Sequence, residues 1–208
     1  MAVGQGDGIN WTGRSSNCIG YGVAYGQDGS GNGLWVAVGG NTTKLATSSN
    51  GFTWIDRGTP FFSSYYGYDV AYGNGIWVAV GYPGTTGGTI YSSTNGINWT
   101  LRNSIGGIFT WACSGITFAN NLFVAVGGGG NTIATSTDGI TWVTRAGAVI
   151  GGYTAEGNKA TFGKDNSGNN LWIYGGGLAR SSNGITWTGN GLDWFKENNI
   201  KAYMVLLD

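Results

Sequence analysis

Apolar positions along the chain fall into short runs of four to six residues, enriched in Val, Ile, Thr and aromatics and closed at each end by Gly, Asn or Asp. Runs of this length and make-up predict β-strands joined by hairpin turns. No window carries the apolar period of a helix, or enough glycine-free length for one. The runs also recur. A first segment reads VAYG at 23–26, VAYG at 70–73, ITFA at 116–119 and ATFG at 160–163; a second reads LWVAVG at 34–39, IWVAVG at 76–81, LFVAVG at 122–127 and LWIYGG at 171–176. A third reads KLATS, TIYSS, TIATS or GLARS, and a fourth is the short run around a tryptophan.

Those tryptophans, Trp11, Trp54, Trp99, Trp142 and Trp187, are spaced by 43, 45, 43 and 45 residues, a period of propeller-blade size. Each repeat therefore predicts a four-stranded antiparallel sheet, and radial repetition of such sheets is the β-propeller answer to exposed sheet edges. The expected fold is all-β: one domain over 1–208, with repeats at about 18–57, 65–102, 111–145 and 157–189. The segment 1–13 supplies only a third and a fourth strand, so a composite blade made of 1–13 plus 191–208 is expected to close a five-bladed ring. Two placements stay open at the C-terminal end. Ile200–Leu207 is the first strand of that blade, or Asp193–Phe195 is the first and Lys201–Leu207 the second. If the chain is part of a longer protein, more blades are possible.

Ahead of four of the tryptophans stands one motif, Ser-x-Asn/Asp-Gly-x-x-Trp. Its residues are Ser48, Asn50, Gly51 and Trp54; Ser93, Asn95, Gly96 and Trp99; Ser136, Asp138, Gly139 and Trp142; Ser181, Asn183, Gly184 and Trp187. QGDGINW, ending at Trp11, is a reduced copy. The motif resembles the Asp-box, or BNR, repeat of sialidase-like propellers. The family's form sets the acid and the glycine one residue further apart, and three of these four copies carry Asn where Asp is usual. Physically the motif predicts a turn between third and fourth strands. Asn or Asp folds onto backbone amides, Gly accepts positive φ, Ser caps the turn, and Trp wedges between blades.

Composition narrows the function classes. Charged residues are only 10% of the chain and sum to zero net charge, while glycine contributes 42 residues and proline two. No basic patch exists to neutralise phosphates, so nucleic acid is not an expected partner. The surface must be built largely from Gly, Ser, Thr and Asn, which favours an extracellular or virion-associated setting. The start of the chain lacks the basic and apolar segments of a secretory signal. The apolar runs are far too short to cross a membrane as a helix. Cys18 and Cys113 precede equivalent strands of different repeats, and free thiols are expected rather than a disulfide.

The resemblance also implies a chemistry to test, since sialidases use an arginine triad, a tyrosine nucleophile paired with a glutamate, and a further acid. Here Arg14, Arg57, Arg102 and Arg145 each stand three positions after a motif tryptophan. They are a repeated outer-strand feature, expected to act as rim ion pairs or blade spacers. The two glutamates are Glu156 and Glu197; a glycosidase needs two carboxyl groups about 5–10 Å apart, and Asp69 and Glu156, in equivalent connections before first strands, are the nearest approach to such a pair. Histidine is absent, which removes Ser-His-Asp and Cys-His nucleophiles and the usual zinc sets. DGSGN at 28–32 and DNSGN at 165–169 offer oxygen ligands but no bidentate acid for calcium, so they predict hairpin loops. No metal and no cofactor is expected.

The connections that enter first strands are unusually aromatic: Phe61, Phe62, Tyr65, Tyr66 and Tyr68 in one, Phe109 and Trp111 in another, Tyr153 in a third, Trp194 and Phe195 in the last. They should open on the face opposite the motif turns, beside Gly/Thr/Asn loops at 39–43 and 84–88. Aromatic faces next to small hydroxyl and amide groups suit sugar rings and protein partners alike. The expectation is a non-enzymatic recognition propeller for glycans or a protein surface, as a viral, phage or bacterial surface module. A sialidase-like glycoside hydrolase and an assembly scaffold are the alternatives.

Overall fold

The computed structural model describes residues 2–4, 11–13, 19–40, 42–59, 66–83, 87–104, 107–129, 132–145, 159–174 and 179–188. Among these every regular element is a β-strand. β1 (Ala2–Gly4) pairs antiparallel with β2 (Trp11–Gly13), Val3 opposite Thr12. A first sheet follows from β3 (Ile19–Gln27), β4 (Gly33–Gly40), β5 (Leu45–Ser48) and β6 (Ile55–Asp56). The second sheet is β7 (Gly67–Gly73), β8 (Ile76–Gly81), β9 (Gly88–Ser93) and β10 (Thr100–Ser104). β11 (Ala112–Ala119), β12 (Leu122–Gly128), β13 (Ile133–Ser136) and β14 (Val143–Thr144) make the third. The fourth holds β15 (Ala160–Lys164), β16 (Asn170–Tyr174) and β17 (Ala179–Ser181), with a bridge from Arg180 to Thr188 where its outer strand would begin. Within each sheet, neighbours in space are neighbours in sequence and run antiparallel.

The first strands of successive sheets pack on one another, β3 on β7, β7 on β11 and β11 on β15. The sheets stack face to face in a propeller-like arrangement. The second strands show why. In β4, Leu34, Val36 and Val38 face the second sheet, where they meet Val70, Trp77 and Ala79. β8 repeats this, sending Ile76, Val78 and Val80 toward Phe109, Phe123 and Ala125 of the third. β12 sends Leu122, Val124 and Val126 toward Trp172 and Tyr174 of the fourth. A strand covered on both faces reads as a continuous apolar run, which is why LWVAVG and its copies do not alternate. Each fully buried valine among them contributes about 1.5–3 kcal/mol.

The first strands add a ring-on-backbone fit. A Cβ built on Gly26 would lie 2.2 Å from the Tyr72 ring, and one on Gly73 would lie 2.2 Å from the Phe118 ring. The glycine that closes VAYG in one sheet is thus the seat for the aromatic of the next. Turns between first and second strands follow the same economy of residues. Asn74–Gly75 and Asn120–Asn121 all have positive φ, the geometry that suits two-residue hairpins to strand twist.

The first sheet differs on one face. Val23 is 53% exposed while its counterparts Val70 and Ile116 are each 4%, and Trp35 is 37% exposed while Trp77, Phe123 and Trp172 are fully buried. This is the face turned away from the second sheet.

Candidate functional site

The repeated motif builds turns. Ser93 Oγ accepts the backbone N–H of Asn95 at 3.2 Å and of Gly96 at 2.8 Å, and Asn95 Oδ1 accepts those of Ile97 and Asn98, both at 2.9 Å. The same bonds recur from Ser48 and Asn50, Ser136 and Asp138, and Ser181 and Asn183. The indole N–H of Trp54, Trp99 and Trp187 then donates to the carbonyl of the motif glycine at 3.0, 3.2 and 2.9 Å. Trp99, Trp142 and Trp187 each pack into the apolar cluster between their own sheet and the one before.

The glycine has two jobs. Its φ is +75° at Gly51, +73° at Gly96, +68° at Gly139 and +73° at Gly184, left-handed backbone that side chains resist. A Cβ at Gly96 would also meet Leu34 Cδ2 at 2.7 Å, one at Gly139 Ile76 Cγ2 at 2.9 Å, and one at Gly184 Leu122 Cδ2 at 2.7 Å. The turn is therefore pressed against the second strand of the preceding sheet. The Ser hydroxyl and the Asn or Asp Oδ1 of each motif are used inside the turn, and the one motif indole without a partner among the described residues, that of Trp142, is buried, which leaves the turns little to offer a ligand. In Asp138 burial opposes ionisation, but the N–H groups of Thr141 and Ile140 and the Ser136 hydroxyl outweigh it and bring the carboxyl down to about 2.

Other candidates resolve the same way. Asp28 Oδ1 accepts the N–H of Ser30 at 2.8 Å and of Asn32 at 2.9 Å, and Asp165 Oδ1 those of Ser167 and Asn169, both at 2.9 Å. Both carboxylates close hairpin loops, and no group of three His, Cys, Asp or Glu that could hold a metal occurs among the described residues. Arg57, Arg102 and Arg145 donate through Nε to Thr47, Ser92 and Thr135 at 2.9, 2.7 and 2.7 Å. They clip each outer strand to the third strand of its own sheet. Cys113 is a buried free thiol.

The opposite end of the first strands is built differently. β3, β7 and β11 each carry a register shift, between Gly20 and Gly22, Gly67 and Asp69, and Cys113 and Gly115. Such bulges bend the strand and re-aim a side chain; the extra residues here are Tyr21, Tyr68 and Ser114. Tyr21 packs edge-on against Tyr66 at 5.6 Å and Tyr68 at 6.3 Å, and Tyr66 stacks with Tyr68 at 6.5 Å. Tyr66 is anchored by its carbonyl, which accepts the Tyr82 N–H at 3.0 Å, and its ring lies over Gly40, where a Cβ would come within 2.3 Å. The Trp111 ring lies over Gly128, and the Trp111 backbone N–H donates to the Gly128 carbonyl at 3.3 Å. Tyr21 and Tyr66 stay exposed at 52% and 41%, and Trp111 at 42%.

Of the aromatics expected on this face, Tyr66, Tyr68 and Trp111 stand at the ends of the first strands, Tyr66 and Trp111 with exposed rings. Phe109 is fully buried between the second and third sheets, because its ring fills the space over Gly127; it supports the face from below and offers no surface. Phe61, Phe62, Tyr65, Tyr153, Trp194 and Phe195 lie outside the described residues, as do Glu156, Arg14 and Cys18. Two residues of this face escaped the sequence reading. Tyr21 stands two positions before Val23 as Tyr68 stands before Val70, an offset that was there to be used. Lys159 stands one position before Ala160, where the second sheet has Asp69.

Asp69 and Lys159 are the charged pair of this end. Asp69 lies inside β7 rather than in the connection before it, because the bulge at Tyr68 turns it inward. Its Oδ2 is 3.3 Å from Lys159 Nζ and accepts the N–H of Ile116 at 3.2 Å, while its Cα fits against Gly22, where a Cβ would be 2.6 Å away. One side chain thus joins the second sheet to the third and fourth, with the first packed on its backbone. Burial pushes the carboxyl up from its ordinary value, against the pull of Lys159 and of the Ile116 N–H. The lysine side chain is 59% exposed.

No protein-family model matches the chain. No curated protein matches it either. Among solved structures it is similar to YCF48 bound to D1 peptide, at 20% identity and a TM-score of 0.48 over 88% of this chain and 57% of that one. It is also similar to the Bombyx mori GH32 β-fructofuranosidase BmSUC1, at 14% identity and 0.37 over 77% and 43%, and to a glycoside hydrolase at 14% and 0.34 over 84% and 75%. These neighbours are β-propeller proteins. The chain spans about 57% of the length of the first and 43% of the second.

Proposed function

We propose that the chain is a non-enzymatic recognition propeller that binds a glycan or a protein surface at the end where its first strands begin. The observation that carries this reading is the cluster of Tyr21, Tyr66 and Tyr68, which leaves two exposed rings at one end of the first strands. Rings fixed by their neighbours bind without a large loss of side-chain freedom, and their faces suit the C–H side of a sugar or the apolar part of a protein epitope. Trp111 belongs to the same binding face, joined by Phe61, Phe62, Tyr65, Tyr153 and Trp194 of the neighbouring connections. The motif turns, with their Ser hydroxyls and Asn or Asp Oδ1 atoms engaged by backbone N–H groups, serve as architecture.

The reading includes a closed ring of five blades. Segments 1–13 and 191–208 form the composite blade, and it covers the exposed face at Val23 and Trp35. A low-charge surface of Gly, Ser, Thr and Asn fits a module displayed on a virion or cell. A glycan array probed with the intact chain and with Tyr66→Ala and Trp111→Ala tests the glycan half, and a display screen against protein ligands tests the other. Binding lost in both variants is the expected result. Binding unchanged in both removes the aromatic face from consideration.

A further inference from the structure

We propose that Asp69 and Lys159 form a protonation-sensitive clasp that decides which charge the tyrosine end presents. The geometry is that of a latch. The carboxylate is buried between β7 and β11 with Gly22 of β3 against its Cα, whereas the ammonium reaches it from an exposed side chain just before β15. Lys159 Nζ carries three N–H donors, and Asp69 Oδ2, already bonded to the Ile116 N–H, is its counter-charge. When the carboxyl takes a proton from solvent, that counter-charge is gone and the lysine loses the ion pair that holds it inward. The ammonium then turns to solvent, and the neutral carboxyl keeps its bond from Ile116. With the carboxyl ionised the pair presents no net charge; with it protonated the pair presents a free cation, fit for an anionic group on a ligand.

The groups that face Asp69 are few. Gly22 approaches from β3, Tyr68 precedes it on β7 with Tyr21 packed on that ring, Cys113 and the Ile116 N–H come from β11, and Lys159 comes from just before β15. The Cys113 thiol is pushed well up by its burial, with the Asp69 charge adding to the shift, so it stays neutral and does not compete for the lysine. Burial raises the Asp69 carboxyl, which sets the exchange on the high side of 3.8.

This inference concerns the end used in the proposed function but needs no ligand, so it can fail while that reading stands. The test is an NMR titration of the full chain, following the Lys159 side-chain Cε and Nζ signals and labelled tyrosine rings, in wild type, Asp69→Asn and Lys159→Met. In wild type, Lys159 and Tyr68 should share one inflection above 3.8. Asp69→Asn should abolish it in both and hold Lys159 at its acid-limit signal throughout. Lys159→Met should move the Tyr68 inflection upward, because the ammonium that favours the carboxylate is gone. A flat Lys159 signal in wild type, an inflection that survives Asp69→Asn, or one that Lys159→Met leaves in place overturns the clasp. If Asp69→Asn does not fold, the wild-type and Lys159→Met curves decide it.

Discussion

The two ends of the sheets treat repetition in opposite ways. At the motif end, four turns carry the same bonds to the Ser hydroxyl and the Asn or Asp Oδ1, three of them the same indole bond, and their glycines share nearly the same φ. At the other end, equivalent positions of the first strands carry Gly22, Asp69, Gly115 and Lys159, and the bulged positions carry Tyr21, Tyr68 and Ser114. A turn that also seats the neighbouring sheet has one workable solution, so its copies cannot drift apart. An end whose side chains meet solvent and each other is free to differ. Sameness here marks what holds the sheets together, and difference marks where to look for a ligand.

The hardest way to break the motif end is to fill its glycine. Gly96→Ala must adopt φ +73° and bring a Cβ to 2.7 Å from Leu34 Cδ2 and 3.0 Å from Val36 Cγ2. Left-handed backbone costs an L-residue about 1–2 kcal/mol and overpacking about 1–3 kcal/mol more, so a loss of about 2–5 kcal/mol is expected in urea unfolding. Gly31→Ala is the control, since its φ is +83° but nothing lies within 4 Å of the added Cβ. It should cost only the backbone part, about 1–2 kcal/mol. Equal losses in the two variants would show that the sheets are not pressed together at this turn.

Much of this division was legible in the sequence, and for a physical reason. Strand runs, hairpin glycines and the spacing of Trp54, Trp99, Trp142 and Trp187 are local signals repeated at a fixed period, so each copy confirms the others. The tyrosine end is made by contacts between sheets, and its one repeated signal is the two-residue offset shared by Tyr21 before Val23 and Tyr68 before Val70. Tyr21 meets Tyr66 across two sheets, and Asp69 finds Lys159 ninety positions along the chain. Nothing in a window around either residue announces the other. Phe109 shows the converse error: two positions before Trp111 in sequence, it points into the core because the bend at the head of β11 turns one ring inward and leaves the other out.

A milder cut at the motif end removes one oxygen. Ser93→Ala leaves the buried N–H of Gly96 without its 2.8 Å acceptor and frees that of Asn95. An orphaned buried donor costs about 1–3 kcal/mol, and the same substitution at Ser48, Ser136 or Ser181 should cost a similar amount if the turns are equivalent. Tyr66→Ala, at the differing end, removes a ring that is 41% exposed and should lower stability by no more than about 1 kcal/mol while removing binding. Chemical denaturation of the five variants places them on one scale.

The smallest effects separate the two ends by sign. Asp138 in its turn sits at about 2, below the ordinary 3.8, so its ionised form favours the fold: that contribution is complete above 3.8 and is lost as the pH falls through about 2. Asp69 is raised by burial. Its ionisation works against the fold, so its contribution is complete below 3.8 and is lost as the pH rises through its folded value. Asp138→Asn should therefore leave stability near neutral pH unchanged, since three sister turns already use Asn, and should flatten the acid limb below 3.8. Asp69→Asn should change the slope with the opposite sign, on the high side of 3.8. Thermal unfolding midpoints at pH steps across this range measure both, and slopes of the same sign in the two variants would deny that one carboxylate is held for its charge and the other in spite of it.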